Sequence, residues 1–281
     1  MVSTMQSPVW ALILAGGDGR RLGALTTNID GVSTPKQYCS LNGGPSLLQL
    51  SMKRALRLVP RERIVVVVTE HHRRWWEQEL SGLPRSNIVA QPSNRGTGIG
   101  VLLPLLVLEK TEPKATVICL PSDHYIAQED VLAKSLQQAT ARRAVDCDKL
   151  TLLGVQPIAP DTSLGYLTAF PGPEGNVRPL QEFFEKPDRE HAARLIQQGS
   201  VWNSGIIVGL LQAVLYLYSR HVPGLLRNLR PIVRAWSDPG VPSLDLTAFY
   251  ASHAEVDFSR DILQKQPARL QMLMVPPCGW N

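Results

Sequence analysis

The chain predicts an α/β protein with a mixed, mostly parallel central sheet flanked by helices. Three observations carry that expectation. Short apolar, β-branched runs alternate with amphipathic segments through the first half, the pattern of βαβ units. A glycine-rich turn directly follows the first of those runs. The chain has 281 residues and 44% hydrophobic content, enough to bury a full core in one large domain.

In chain order, Val9 to Leu14 reads as the first strand, Ile64 to Thr69 as the second and Thr116 to Leu120 as the third. Ser46 to Val59 reads as a helix, with Leu47, Leu48, Leu50, Ala55 and Leu56 forming an apolar face near the 3.6 period. Leu102 to Lys110 and Val131 to Arg143 read as helices for the same reason. From about Leu150 the pattern changes: Leu152 to Val155 and Gly165 to Phe170 read as strands between turns, and Phe183-Phe184 precedes Pro187. Helical periodicity returns at Arg189 to Gln198 and Leu210 to His221. With no internal repeat or low-complexity linker, residues 1–281 are expected to form one domain whose two halves meet near residue 150.

Composition excludes several classes. The formal charge of +5, from 29 basic and 24 acidic residues, suits a polyphosphate ligand but is too weak and too evenly spread for nucleic acid. Cys39, Cys119, Cys147 and Cys278 show no Cys-x-x-Cys pairing, so reduced thiols in a cytoplasmic protein are expected, with Cys119 in the core of a strand. The apolar run Val9 to Ala15 is broken by Gly16 and Gly17 and has no basic stretch before it, unlike an export signal. No apolar stretch approaches the roughly 20 residues of a membrane helix. A soluble protein is expected. The run His71-His72-Arg73-Arg74-Trp75-Trp76 reads as the start of a helix after the second strand, with the tryptophans partly buried and no ligand role.

The chemistry begins at Ala15-Gly16-Gly17-Asp18-Gly19-Arg20-Arg21-Leu22. Three glycines let backbone N–H groups approach a polyphosphate, and arginine makes bidentate contacts to phosphate oxygens. A dinucleotide fingerprint from Gly17 would need Gly or Ala where Leu22 stands, and a Walker loop would need Gly-Lys-Ser/Thr. Alone, the segment is also compatible with an ordinary strand-to-helix turn. In Ser33-Thr34-Pro35-Lys36-Gln37, the proline restrains the backbone ahead of an ammonium that can reach the same phosphates. Asp123 follows an apolar strand, at the carboxyl end where ligands sit in open α/β sheets; it suits Mg²⁺, with a helix N-cap as the plainer alternative.

Gly16 to Leu22 followed by Pro35-Lys36-Gln37 resembles the signature of the sugar nucleotidylyltransferases, a G-G-x-G-T/S-R-L loop with a later P-K. Four further segments match in order, so the resemblance covers nearly the whole chain. Gln91 to Thr97 is similar to the E-P-x-x-R-N-T segment of the mannose-1-phosphate guanylyltransferases, Pro121-Ser122-Asp123-His124 to P-S/A-D-H, Phe184-Glu185-Lys186-Pro187 to F-x-E-K-P, and Trp202 to Ile206 to W-N-S-G-I.

The resemblance implies a Rossmann-like fold of the nucleotide-diphospho-sugar transferase type, with a nucleotide half of about residues 1–150 and a sugar half of about 151–281. It implies that a nucleoside triphosphate, GTP first, reacts with a sugar 1-phosphate, mannose 1-phosphate first, releasing pyrophosphate. Nucleotide contacts then fall to Ala15, Gly16, Gly17, Gly19, Arg20, Gln91, Arg95 and Thr97, and the catalytic cations are Arg21, Lys36 and Lys186. Asp123 holds Mg²⁺, and Gly165, Glu185 and Asn203 face the sugar. Arg20, Gln91 and Gly98-Ile99-Gly100 depart from the family pattern, which leaves the base and the exact sugar open, a manno-heptose phosphate included. A silent homologue that binds a nucleotide sugar and regulates a partner is the alternative from another class. A glycosyltransferase with an Asp-x-Asp metal site is a weaker one. A homodimer is compatible with the residues, which do not fix an oligomeric state. Finally, Cys278-Gly279-Trp280-Asn281 resembles the start of G-W-S/N-D-x-G, whose Asp is a second metal ligand; the chain stops one position earlier and is expected to be either a shortened version of a longer protein or a degenerate homologue.

Overall fold

The computed structural model describes residues 7–18, 34–40, 43–142, 146–173 and 175–281. Nine strands lie among them: β1 Val9–Ala15, β2 Ile64–Thr69, β3 Ile88–Gln91, β4 Thr116–Pro121, β5 Leu150–Val155, β6 Gly165–Ala169, β7 Arg178–Glu185, β8 Val201–Leu210 and β9 Leu270–Met274. They form one sheet in the order β3-β2-β1-β4-β8-β5-β9-β7-β6, with β6 also paired to β8. β1 to β4 are parallel neighbours, β8 enters antiparallel between β4 and β5, and β9 returns parallel to β5. Only β7 and β8 run against the other strands, so the sheet is mixed and mostly parallel, as the sequence predicts.

The unbroken apolar runs follow from a sheet covered on both faces. In β2, Val65 enters one core while Ile64, Val66 and Val68 enter the other, and β1 and β4 divide their side chains in the same way. Helices α1 Leu47–Leu56, α2 Arg73–Glu79, α4 Glu129–Arg142 and α5 Arg189–Gln197 cover the second core. α3 Gly96–Glu109, α6 Leu211–His221, α7 Pro223–Ala235 and α8 Leu244–Ser252 cover the first, followed by the short α9 Phe258–Asp261. Cys119 is a buried residue of β4, as expected. Among the described residues, no helix is long and apolar enough to cross a membrane.

The sequence expectation differs from the fold in a few elements. α3 starts six residues before Leu102, where the sequence expectation began it, because Gly96, Gly98 and Gly100 are helical. Glycine is needed there for packing: a Cβ on Gly98 would lie 2.5 Å from Val256 Cγ1, and one on Gly96 2.4 Å from the Val256 carbonyl oxygen. α7 begins with Pro223 and contains Pro231, which masks a periodic face of Leu225, Leu226, Leu229 and Val233; proline at a first helical position is favourable. β9, Leu-Gln-Met-Leu-Met, is too short for its period to separate strand from helix.

Candidate active site

The turn after β1 is clamped from beneath. Gln37 Nε2 donates to the carbonyls of Ala15 (3.1 Å) and Gly17 (2.7 Å), while Thr69 Oγ1 (2.7 Å) and Gln91 Nε2 (2.9 Å) donate to that of Gly16. Gln91 Nε2 also donates to Thr69 Oγ1 (3.1 Å), and its Oε1 accepts from the Tyr250 hydroxyl (3.3 Å). Three consecutive carbonyls are thus tied to interior donors, and an anion meeting a fixed turn loses less ordering entropy. Gly16 is required by this clamp, since a Cβ there would lie 2.4 Å from Gln91 Nε2. Gly17 has open space around it. Gly19, Arg20 and Arg21 lie outside the described residues.

Gln91, expected at the nucleotide, is put to a different use. It is 1% exposed, and its carboxamide is committed to the turn, Thr69 and Tyr250. Gln37, Thr69 and Tyr250 are the residues of this clamp that sequence reasoning missed. Gln37 stands in the quoted Pro-Lys-Gln segment, and a polar residue closing an all-apolar strand was the available signal for Thr69. Nothing in the sequence marks Tyr250, which lies 159 positions from its partner.

Lys36 and Asp123 are brought together, with Nζ 3.4 Å from Oδ2, both side chains partly exposed beside this turn. The residues on either side of Asp123 fix its place after β4. Ser122 Oγ donates to the Leu14 carbonyl (2.7 Å), bridging the ends of β4 and β1. The buried Arg54 guanidinium makes two hydrogen bonds to Glu129 (3.0 and 2.8 Å) and one to the His124 carbonyl (3.4 Å). His124 Nδ1 accepts from Trp280 Nε1 (3.3 Å), and burial lowers the imidazole to about 4, so it is neutral near pH 7. The terminal segment pairs with the same stretch, Tyr125 and Asn281 exchanging backbone hydrogen bonds of 3.0 Å.

The residues expected to face the sugar gather at the mouth of β6, β7 and β8. Gly165 opposes Glu185 in the β6–β7 pairing, and a Cβ on Gly165 would lie 2.6 Å from Glu185 Oε2 and 2.7 Å from the Phe183 ring. Burial raises the Glu185 carboxyl above the usual range, with Lys186 working against that rise. Lys186 Nζ lies 3.0 Å from Glu185 Oε1 and 3.5 Å from Asp257 Oδ2. Its backbone is left-handed, with φ at 53°. Trp202-Asn203-Ser204-Gly205-Ile206 forms a bulge: Asn203 pairs with Gly154 and Ile207 with Leu152, leaving three residues opposite one. Ser204 Oγ closes it on the Leu153 carbonyl (2.7 Å), and a Cβ on Gly205, at φ 74°, would lie 3.3 Å from Pro121 Cγ. Asn203 is buried, its Oδ1 accepting from the Gly205 N–H (3.1 Å).

Arg95 and Thr97 serve the start of α3. Arg95 Nε donates to the Tyr250 carbonyl (2.8 Å), and Thr97 Oγ1 accepts from the Phe258 N–H (2.9 Å). Asp146-Cys147-Asp148 has the Asp-x-Asp spacing of a glycosyltransferase metal motif. It stands before the amino end of β5, away from this site, and its carboxylates pair with Arg142 (2.8 Å) and Arg269 (2.6 Å).

A glycine turn, a lysine and a carboxylate thus lie together at the carboxyl ends of adjacent parallel strands, the place where open α/β sheets hold their ligands. The chain belongs to the nucleotidyl transferase family, whose model matches residues 10–237. It is 31% identical to the xanthan biosynthesis protein XanB of Xanthomonas campestris pv. campestris, covering 98% of this chain and 57% of that protein. It is 30% identical to a mannose-1-phosphate guanylyltransferase of Sinorhizobium fredii, covering 82% of this chain and 45% of that protein. The chain therefore spans about half the length of the curated relatives it matches. Among solved structures, one described as a mannose-1-phosphate geranyltransferase from Thermus thermophilus superposes with a TM-score of 0.82 at 26% identity, covering 97% of this chain and 75% of that one. The fold is of the nucleotide-diphospho-sugar transferase type.

Proposed function

We propose that this chain transfers a nucleotidyl group from a nucleoside triphosphate to a sugar 1-phosphate, with GTP and mannose 1-phosphate as the first choices. The observation that carries the reading is the shared end of three adjacent strands. β1 delivers the clamped turn, β4 delivers Asp123, and β8, the antiparallel neighbour of β4, delivers Asn203 through the bulge that abuts Pro121. A phosphate-binding side and a sugar-binding side thus meet across one strand. Relatives named for mannose-1-phosphate guanylyl transfer support the choice of substrates.

In this reading a phosphate oxygen of the sugar 1-phosphate attacks the α-phosphorus. The new oxygen–phosphorus bond forms as the bond to the β-phosphate oxygen breaks, and pyrophosphate leaves. The nucleophile is already anionic, so the protein supplies alignment and positive charge rather than a general base. Lys36 and Arg21 take the charge that develops on the leaving pyrophosphate, and Lys186 holds the attacking phosphate. The partly exposed Asp123 carboxylate, a hard oxygen donor beside Lys36, fits Mg²⁺, a cation usually bound through one or two carboxylates plus substrate phosphates and water. That ion would neutralise triphosphate charge when bound. The side chains of Gln91, Arg95 and Thr97 act on the nucleotide through the backbone they hold.

The test is a pyrophosphate-release screen of four nucleoside triphosphates against hexose and heptose 1-phosphates with Mg²⁺. GTP with mannose 1-phosphate is expected to give the highest rate. Calorimetric binding of GDP-mannose without release from any pair would instead establish a silent homologue.

A further inference from the structure

Asp18, His71 and His72 converge beside the clamped turn, although the histidines read in the sequence as no more than a helix start. One ligand atom from each lies within 4.8 Å of the other two. His71 Nε2 is 3.7 Å from Asp18 Oδ1, and the two imidazole rings meet edge to face with centroids 4.0 Å apart. His72 is 5% exposed, and its Nδ1 finds no hydrogen-bond partner among the described residues. A buried imidazole nitrogen without a partner is costly unless something else uses its lone pair or proton. Tyr38 and Trp75 wall the ring on its inner side, with centroids at 5.9 and 5.5 Å. His71 is half exposed and leaves the outer side accessible.

We propose that Asp18, His71 and His72 form a binding site for a divalent transition metal of the Zn²⁺ or Co²⁺ class, separate from the Mg²⁺ site at Asp123. Two imidazoles and one carboxylate are the donor set such ions take, with a position left for water or a phosphate oxygen, whereas Mg²⁺ prefers oxygen donors alone. Tetrahedral coordination at the usual bond lengths holds ligand atoms about 3.3 Å apart. The 3.7 Å His71–Asp18 separation is already near that value, and the exposed His71 side chain has freedom to close the remainder. The ion would tie the turn after β1 to the start of α2, fixing the glycine turn independently of nucleotide.

The site is tested with the whole chain, stripped by chelator and free of nucleotide and Mg²⁺, by titrating Co²⁺ and following visible absorption. One equivalent is expected to bind, to be displaced by Zn²⁺ and to be unaffected by millimolar Mg²⁺. His71→Ala, at a half-exposed position that leaves the core untouched, and Asp18→Asn are each expected to weaken binding at least tenfold with an unchanged circular dichroism spectrum. The site would be overturned by the absence of saturable Co²⁺ binding, or by wild-type affinity in both variants. A thiolate-to-metal charge-transfer band would also overturn it, by assigning the ion to Cys39 or Cys147. Because the readout is binding alone, it succeeds or fails independently of nucleotidyl transfer.

Discussion

Gly16→Ala is expected to destabilise the protein through Gln91 rather than through the backbone. Gly16 is not among the residues with positive φ, so alanine meets no conformational penalty there. Its methyl group would lie 2.4 Å from Gln91 Nε2 and 3.1 Å from Cδ. An exposed glutamine would swing aside, but Gln91 is 1% exposed and held by hydrogen bonds to Gly16, Thr69 and Tyr250. Displacing the carboxamide breaks its bonds to Gly16, Thr69 and Tyr250; Gly16 and Thr69 keep the hydrogen bond to each other, but the buried Gln91 amide and the Tyr250 hydroxyl are left unsatisfied, at about 1–3 kcal/mol for each such group. Gly→Ala recovers about 0.4–1 kcal/mol from the unfolded chain. The net cost is about 2–4 kcal/mol. Gln91→Ala alone loses the same bonds and should cost a similar amount. In the double variant the methyl group added at position 16 enters the space that Gln91 vacates, so its cost should be close to that of Gln91→Ala alone, a coupling of about 2 kcal/mol or more. Gly17→Ala, with nothing within 4 Å, is the control and should stay within about 0.5 kcal/mol of wild type. Urea unfolding midpoints at constant slope measure all four. Single-variant costs that add to within about 0.5 kcal/mol in the double variant would refute the clamp.

Lys36→Ala should lower turnover by about a hundredfold with an unchanged unfolding midpoint, because a partly exposed ammonium beside Asp123 contributes charge rather than packing; near wild-type pyrophosphate release would refute its role. Asn203→Ala should raise the KM for the sugar phosphate more than that for the triphosphate, by an amount equivalent to about 1–3 kcal/mol, and steady-state kinetics with each substrate varied in turn will separate the two. Since burial raises the Glu185 carboxyl, its acceptor function should fail on acidification at a higher pH than an ordinary glutamate would. The sugar-phosphate KM should accordingly rise as pH falls through that region in the wild type but stay flat in Glu185→Gln, and parallel profiles would remove Glu185 from the sugar site.

How much of the fold and the site was legible depended on whether a residue's role was local. Val9–Ala15, Ile64–Thr69 and Thr116–Pro121 announced themselves because strands covered on both faces need no polar alternation, and their carboxyl ends then located Gly16, Gly17 and Asp123 without any long-range information. The clamp was not legible in that way. Gln91 has the chemistry to touch a nucleotide or to hold a turn, and only the 75-residue separation closed by the fold, between Gly16 and Gln91, decides in favour of the turn. The packing of Gly96 and Gly98 against Val256 was likewise hidden, because their partner lies far along the chain.

Lys186 shows the converse, a position where the fold adds a reason for what the sequence only suggested. Its φ of 53° is a conformation that glycine adopts freely and that costs other residues about 1–3 kcal/mol. The surroundings hold it there: its N–H donates to the Leu164 carbonyl (3.1 Å) at the β6–β7 mouth, and its ammonium is drawn between Glu185 and Asp257. Glycine would relieve the backbone and keep the hydrogen bond to Leu164, so local stability alone does not call for a lysine. What glycine would lose is a partly exposed cation held between the Glu185 and Asp257 carboxylates. In the proposed transfer that cation has a use, since Lys186 there holds the attacking phosphate.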